Sequence, residues 1–329
     1  MTNEIIKDLI LTRAERGEKL PLVAIAGATA SGKTALAIRL ARELGGEIVS
    51  CDSMQIYRRM NIGTAKPTPE EMSLVPHHMI DVAEPEKTYS CADYGEEAVL
   101  CVSDIHKRGK LPVVCGGTGL YLDSLLFERP WSASGESGQI RDRLAKEAET
   151  ENGNIVLWER LRAVDPESAE KTHPNNVRRV IRALEIYEMT GVTKTELDRR
   201  SGEPRYDHLV FAIRRPDREV QNARIEARVD AMLRAGLAEE TARLYAEGVF
   251  DGNATAAQAI GYKEMLGYVR GECSIADARE KLIIATRQYA KRQLTWFGAK
   301  TYVTQIDVTA AGPDPYPAIR QGIKEYFGF

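Results

Sequence analysis

The stretch Gly27-Ala28-Thr29-Ala30-Ser31-Gly32-Lys33-Thr34 satisfies the phosphate-loop pattern G-x-x-x-x-G-K-[ST] without a mismatch. Its glycines let backbone N–H groups turn toward an anion, and the following helix N-terminus adds partial positive charge. Lys33 supplies a point charge for a phosphate, and the Thr34 hydroxyl is a ligand for Mg²⁺. The flanks suit this use. Leu22-Val23-Ala24-Ile25-Ala26 reads as a buried parallel strand and Ala35-Leu36-Ala37-Ile38-Arg39-Leu40-Ala41 as a helix. The loop implies a bound di- or triphosphate but not what is done with it.

Asp52 is the most informative carboxylate. It follows the strand Glu47-Ile48-Val49-Ser50-Cys51, so the segment Asp52-Ser53-Met54-Gln55-Ile56-Tyr57 lies at a strand's carboxyl end, where open parallel sheets bind ligands. If that strand neighbours the first, Asp52 lies beside the phosphate loop. There it could bind Mg²⁺ through water or accept a proton from a nucleophile; its plain alternative is a turn or helix-cap residue. Gly116-Gly117-Thr118-Gly119 follows the strand Leu111-Pro112-Val113-Val114-Cys115 and permits close backbone approach at the same edge, or is simply a tight turn. That strand does not end in Asp, which argues against an ATP-driven motor.

Basic residues gather in three places. Arg178 and Arg182, with Arg179, lie in one helical stretch; Arg224 and Arg228 are spaced four apart in another. In a long C-terminal helix, residues 274–299, Leu282, Thr286, Tyr289, Gln293 and Phe297 share one face, with Arg287 and Lys291 nearly opposite and Arg292 to the side. Basic faces beside Tyr289 and Trp296 suit a phosphate backbone and stacked bases, although any one of these cations alone reads as solvated surface. Arg224 or Arg228 would serve as a second clamp on a diphosphate, or else pair with Glu226 or Asp230. His77 and His78 are neighbours on a strand and point to opposite faces, so they are poor joint metal ligands.

The elements that must carry these groups alternate strand and helix over residues 21–135, giving an α/β fold with a doubly wound parallel sheet of phosphate-loop type. A leading helix occupies residues 1–20. Residues 128–138 read as a linker. Residues 136–205 show helical periodicity alone, at 140–151, 155–164, 176–190 and 194–199, and form a helical insertion. Residues 206–329 complete the core, beginning with the strand His208-Leu209-Val210-Phe211-Ala212-Ile213 and including the long basic helix. With 329 residues and a net charge of −3, the chain is no general polycation, so a nucleic-acid surface must be local. Five cysteines at irregular spacing point to reduced thiols and a cytoplasmic setting. No run reaches the roughly 18 apolar residues of a membrane span, and a monomer is the expected state.

The combination resembles the bacterial tRNA dimethylallyltransferases, or tRNA isopentenyltransferases. The resemblance runs in order from the phosphate loop through Asp52 to Tyr57, Asn61-Ile62-Gly63-Thr64-Ala65-Lys66-Pro67, His77-His78-Met79-Ile80-Asp81, residues 116–121, His173-Pro174-Asn175, Arg179, Arg182-Ala183-Leu184-Glu185, Ala259-Ile260-Gly261-Tyr262-Lys263-Glu264 and residues 285–293. Ala28 stands where the family often has Pro. The resemblance implies transfer of a dimethylallyl group from dimethylallyl diphosphate to N6 of the adenosine at position 37 of tRNA, with Mg²⁺ as cofactor. The phosphate loop then holds the leaving diphosphate, Asp52 is the general base, Thr34 sits near the reaction centre, and Arg228 is the second clamp with Arg224 the runner-up. The same match assigns RNA contacts to Asp52, Ser53, Met54, Gln55 and Thr118. In the insertion it assigns them to Arg141, Arg178, Arg179 and Arg182. Further contacts fall on Ala257, Gln258, Gly261 and Tyr262, and along the long helix on Thr286, Arg287, Lys291, Arg292 and Gln293.

Three other functions share parts of this pattern. A small-molecule kinase, an ATP-binding enzyme, explains the loop and Asp52 but not the insertion or the basic helix. An adenylate isopentenyltransferase would act on free AMP and needs no large RNA-gripping insertion. A non-catalytic RNA-binding module leaves the phosphate loop and Asp52 without a purpose.

Overall fold

The computed structural model describes residues 2–128, 136–199, 202–251, 255–310, 312 and 314–328. The chain opens with α1 (Thr2–Glu15), β1 (Pro21–Gly27), α2 (Lys33–Leu44), β2 (Glu47–Cys51), α3 (Pro69–Leu74), β3 (His77–His78), α4 (Cys91–Lys107), β4 (Pro112–Gly116) and α5 (Gly119–Leu126). Every residue of β1 and of β2 is buried, as strands covered on both faces require. Gly45, at φ 62°, ends α2 in the left-handed conformation. α4 starts at a reciprocal cap, Ser90 with Asp93.

Residues 127–204 form a separate helical unit. It contains α6 (Glu136–Ala148), α7 (Gly153–Val164), α8 (Pro166–Glu170), α9 (Val177–Thr190) and α10 (Lys194–Arg199) around Leu144, Leu157, Leu161, Val180 and Leu184. Its limits differ from the sequence reading because Phe127 pairs antiparallel with Pro204, a contact that periodicity cannot foresee. Helix α6 begins at Glu136, inside the stretch read as linker; residues 129–135 of that linker lie outside the described residues. Helix α8 is an additional element, capped by the Asp165 side chain on the Ser168 N–H with Pro166 in its first turn.

The chain then returns with β5 (Asp207–Arg214), α11 (Arg218–Arg234), α12 (Leu237–Ala246), a 3₁₀ turn (Thr255–Gln258), α13 (Tyr262–Val269), α14 (Ile275–Gly298), β6 (Val303–Asp307) and α15 (Tyr316–Phe327). The first unit, residues 1–126 and 205–329, is built on one parallel sheet of order β3-β2-β4-β1-β5-β6. On one face Val23, Ile25, Ile48, Val113, Phe211 and Ile213 pack with apolar residues of α1, α2 and α15. Alternate residues Leu22, Ala24, Val49 and Val114 are equally buried, so the other face is covered as well. There the Tyr94 and Tyr121 rings stack 4.1 Å apart, and Tyr94 Oη donates to the Ser50 carbonyl. The doubly wound α/β expectation therefore holds. One premise does not: β2 is not the neighbour of β1, because β4 lies between them.

Candidate active site

The phosphate loop leaves β1 at Gly27, whose φ is 137°. A Cβ there would lie 2.7 Å from the Ile213 carbonyl oxygen on the neighbouring β5, so only glycine fits. Ala30 takes a left-handed conformation at φ 60°, and Gly32, at φ 94°, precedes α2. The loop is held by side chains from later in the chain. Gln221 Nε2 donates to the Thr29 carbonyl at 2.8 Å, Arg224 Nε to Ala30 at 2.8 Å, and Arg215 Nε and Nη2 to Ser31 at 3.3 Å. Gln293 braces it from α14: its Oε1 accepts from the Thr29 N–H at 2.8 Å and its Nε2 donates to the Gly117 carbonyl at 3.0 Å.

Lys33 Nζ donates to the Ala28 carbonyl at 3.3 Å. Burial holds Lys33 below the ordinary lysine range; Arg228 pushes the same way, while Cys115 and Asp52 oppose it. Arg228 is likewise lowered by burial and raised by Asp52. Two half-buried cations and one carboxylate thus share a field, and among the described residues neither cation forms an ion pair with Asp52, an arrangement that gains most from a multiply charged anion. Neither Glu226 nor Asp230 takes Arg224 or Arg228. Glu226 pairs with Arg287, and Asp230 with Arg279 at 2.6 Å.

Asp52 comes near the loop although β4 intervenes, because Gly116 at the end of β4 has no side chain. A Cβ there would lie 2.0 Å from the Cys51 carbonyl oxygen. The Asp52 Oδ1 accepts the Met54 N–H at 2.9 Å, the Ser53 N–H donates to Thr118 Oγ1 at 3.0 Å, and the Thr118 N–H to the Cys51 carbonyl at 3.1 Å. Tyr289 is pushed up by burial and then by Asp52. Cys115, beside Lys33 and Thr34, is pushed up by burial to about 11, so its thiol stays protonated at neutral pH.

Residues 61–66 form another wall, and its support was missed at sequence level. The buried Glu240 accepts from the N–H groups of Ile62 at 2.8 Å and of Asn61 and Gly63 at 3.3 Å, and from Tyr262 Oη at 2.5 Å. Lys66 Nζ donates to the Tyr57 carbonyl at 2.6 Å and pairs with Asp81 at 2.5 Å. Gly63 leaves room for the Tyr262 ring, whose Cε2 would lie 2.4 Å from a Cβ.

The phosphate loop, Asp52 and residues 61–66 face one cavity of about 1390 Å³, lined by Thr29, Lys33, Thr34, Asp52, Arg228 and Tyr289 among others. Ser53, Met54, Gln55, Arg224, Gln258, Thr286, Arg292 and Gln293 also border it. Not all are available as contacts. Tyr262 is fully buried and spends its hydroxyl on Glu240, Thr286 donates back to the Leu282 carbonyl at 2.7 Å, and both amide atoms of Gln293 are engaged. Ala257 lies in the 3₁₀ turn with Gln258, and Gly261, at φ 108°, packs against Gly63. Lys291 and Arg292 are exposed on α14, with Arg292 over the Tyr289 ring.

Within the helical unit, Arg178 and Arg179 are exposed on α9. Arg141 and Arg182 instead flank the buried Glu185, at 2.8 Å and 2.9 Å. His78 Nε2 meets Glu47 at 2.7 Å and His77 Nδ1 the Val75 carbonyl at 2.9 Å. Among the described residues, no group of three or more His, Cys, Asp or Glu is placed to hold a metal, and no helix is long and apolar enough to cross a membrane.

Residues 55–300 match the family model described as IPP transferase. The chain is 44% identical over 310 residues to the tRNA dimethylallyltransferase of Caldanaerobacter subterraneus subsp. tengcongensis, covering 93% of this chain and 97% of that one. It is 49% identical over 294 residues to tRNA dimethylallyltransferase 1 of Pelobacter propionicus, covering 88% and 94%. Among solved structures it resembles the full-length tRNA isopentenylpyrophosphate transferase of Bacillus halodurans, with a TM-score of 0.69 at 40% identity, covering 94% of this chain and 97% of that one. A eukaryotic dimethylallyltransferase, captured in crystallographic snapshots acting on tRNA, gives a TM-score of 0.77 at 29% identity over 93% of this chain and 79% of its own. With the matched segment spanning the phosphate-loop cavity's other walls, from Gln55 to α14, the chain belongs to the IPP transferase family.

Proposed function

We propose that this protein transfers a dimethylallyl group from dimethylallyl diphosphate to N6 of the adenosine at position 37 of tRNA, releasing diphosphate. The observation that carries the reading is the joint placement of Lys33, Arg228 and Asp52 on one cavity with the phosphate loop. The diphosphate lies in the loop at residues 27–34. As the allylic C–O bond breaks, charge builds on the departing oxygens, where the loop N–H groups, Lys33 and Arg228 stabilise it. The N6 nitrogen bonds to the allylic carbon and passes its proton to the Asp52 carboxylate. Because an aromatic amine is a weak nucleophile, orientation contributes much of the acceleration. The adenosine leaves its stack to reach the cavity. Arg178 and Arg179 in the helical unit, and Lys291 and Arg292 on α14, bind the RNA backbone.

The donors near the loop include the Thr34 hydroxyl and the Asp52 carboxylate, both hard oxygens, and no group of three or more His, Cys, Asp or Glu that could hold a metal is found among the described residues. That set fits Mg²⁺, which keeps waters and takes phosphate oxygens rather than a full protein cage. When bound, the ion would neutralise diphosphate charge, with Thr34 its first protein ligand. A monomer in the cytoplasm accords with this role.

The test is incorporation of label from dimethylallyl diphosphate into unmodified tRNA, run beside AMP as acceptor and ATP as donor. Label in tRNA alone supports the reading. Label on AMP would favour the nucleotide-modifying relative, and phosphate transfer from ATP a kinase.

A further inference from the structure

Two arginines hold carbonyls of the phosphate loop, and Arg224 also borders the cavity. Arg215 leaves β5 and holds the Ser31 carbonyl through both Nε and Nη2, while Arg224 holds the Ala30 carbonyl through Nε. Their Nη2 atoms lie 4.0 Å and 3.8 Å from the position a Cβ on Gly32 would occupy. No ion pair is formed by either guanidinium among the described residues. Each therefore adds uncompensated charge beside Gly32, and burial first, then the neighbouring Arg224, depresses Arg215. Such a pair gains when an anion with two or more charges arrives.

The hydrogen bond also has a geometric effect. In a trans peptide the N–H points opposite the preceding carbonyl. Fixing the Ser31 carbonyl on Arg215 therefore turns the Gly32 N–H away from Arg215. The Ser31 hydroxyl is buried and has no hydrogen-bond partner, so the Ser31–Gly32 corner holds a polar group still to be satisfied.

We propose that Arg215 is a positioning residue for the diphosphate: it fixes the Ser31–Gly32 peptide with its N–H toward the anion and adds charge next to Arg224. This rests on the proposed reading of the loop as a diphosphate site. Arg215 lies outside the patterned segments, just before the Pro216-Asp217 turn into α11, and no spacing rule selects it.

The experiment compares wild type, Arg215→Ala and Arg215→Lys in fixed Mg²⁺, with inorganic diphosphate as probe in titration calorimetry and steady-state prenyl transfer beside it. Charge-assisted hydrogen bonds at a half-exposed site predict that Arg215→Ala weakens diphosphate about tenfold. The KM for dimethylallyl diphosphate rises with it, while the KM for tRNA stays within about twofold and kcat within about threefold. Arg215→Lys keeps the charge without the planar fork and recovers only part of the loss. Diphosphate affinity unchanged in Arg215→Ala would overturn the proposal, as would an equal rise in the KM for tRNA, which marks general loosening. Wild-type diphosphate binding without prenyl transfer would instead strike the proposed function and leave Arg215's role standing.

Discussion

Removing the Gln293 side chain tests whether the long helix braces the phosphate loop. Gln293 is 5% exposed, and its amide joins groups far apart in sequence, the Thr29 N–H and the Gly117 carbonyl. Gln293→Ala leaves both unpaired, the Gly117 carbonyl buried and the Thr29 N–H half-buried at the cavity, and each such orphan costs about 1–3 kcal/mol. Water entering the vacated space relieves part of this, so a loss of about 3 kcal/mol is the working figure. For a unit of this size that lowers Tm by about 6–10 °C. The same change frees residue 29 in the loop and weakens diphosphate about fivefold. Differential scanning calorimetry reads the first effect and diphosphate titration the second. Gly117→Ala gives an independent check, since its Cβ would lie 2.1 Å from Gln293 Nε2 and expel the amide; the double variant loses little more than either single one. Unchanged Tm and diphosphate affinity, with only the KM for tRNA raised, would refute the brace and return Gln293 to the RNA surface.

Three further outcomes follow. Asp52→Asn keeps the turn to the Met54 N–H but not the base, so transfer falls at least about 100-fold while tRNA affinity, read by filter binding, stays within about threefold; undiminished transfer would remove Asp52 as base. Lys33 is depressed by burial below its unfolded value, so the folded state binds fewer protons through the alkaline window between the two values and stability rises with pH there. Lys33→Met therefore raises the Tm of the free protein by about 2–4 °C, yet abolishes diphosphate binding; a lower Tm contradicts the sign. Tyr262→Phe removes the donor to Glu240, costs about 1–3 kcal/mol and loosens residues 61–66, visible as faster amide exchange at Ile62 and Gly63; unaltered exchange argues against the Glu240 anchor.

What was legible in the sequence was local. The phosphate loop, its strand and its helix lie within one continuous stretch, so spacing and periodicity suffice to place Lys33 and Thr34. The start of the long helix at residue 274 is equally local, since Ser274 and Asp277, three residues apart, cap each other. Asp52 was placed near the loop on the premise of adjacent strands, whereas the actual route is the bare backbone of Gly116 in the intervening β4. Long-range supports left no local signature. Glu240 reaches residues 61–63 across 177 to 179 positions, and Arg215 reaches Ser31 across 184. Family resemblance marked Tyr262 and Gln293 without revealing that their polar atoms are spent inside the fold. Helix α8 was written in Asp165-Pro166, a cap followed by a first-turn proline, but five residues are too few for periodicity to register.

The most direct measurement is the mass of the nucleosides from unmodified tRNA after incubation with the protein, dimethylallyl diphosphate and Mg²⁺. The account predicts one adenosine per tRNA, on the 3′ side of the anticodon, carrying a single dimethylallyl group on N6, with one diphosphate released for each. Adenosine of unchanged mass in RNA that the protein nevertheless binds would contradict it.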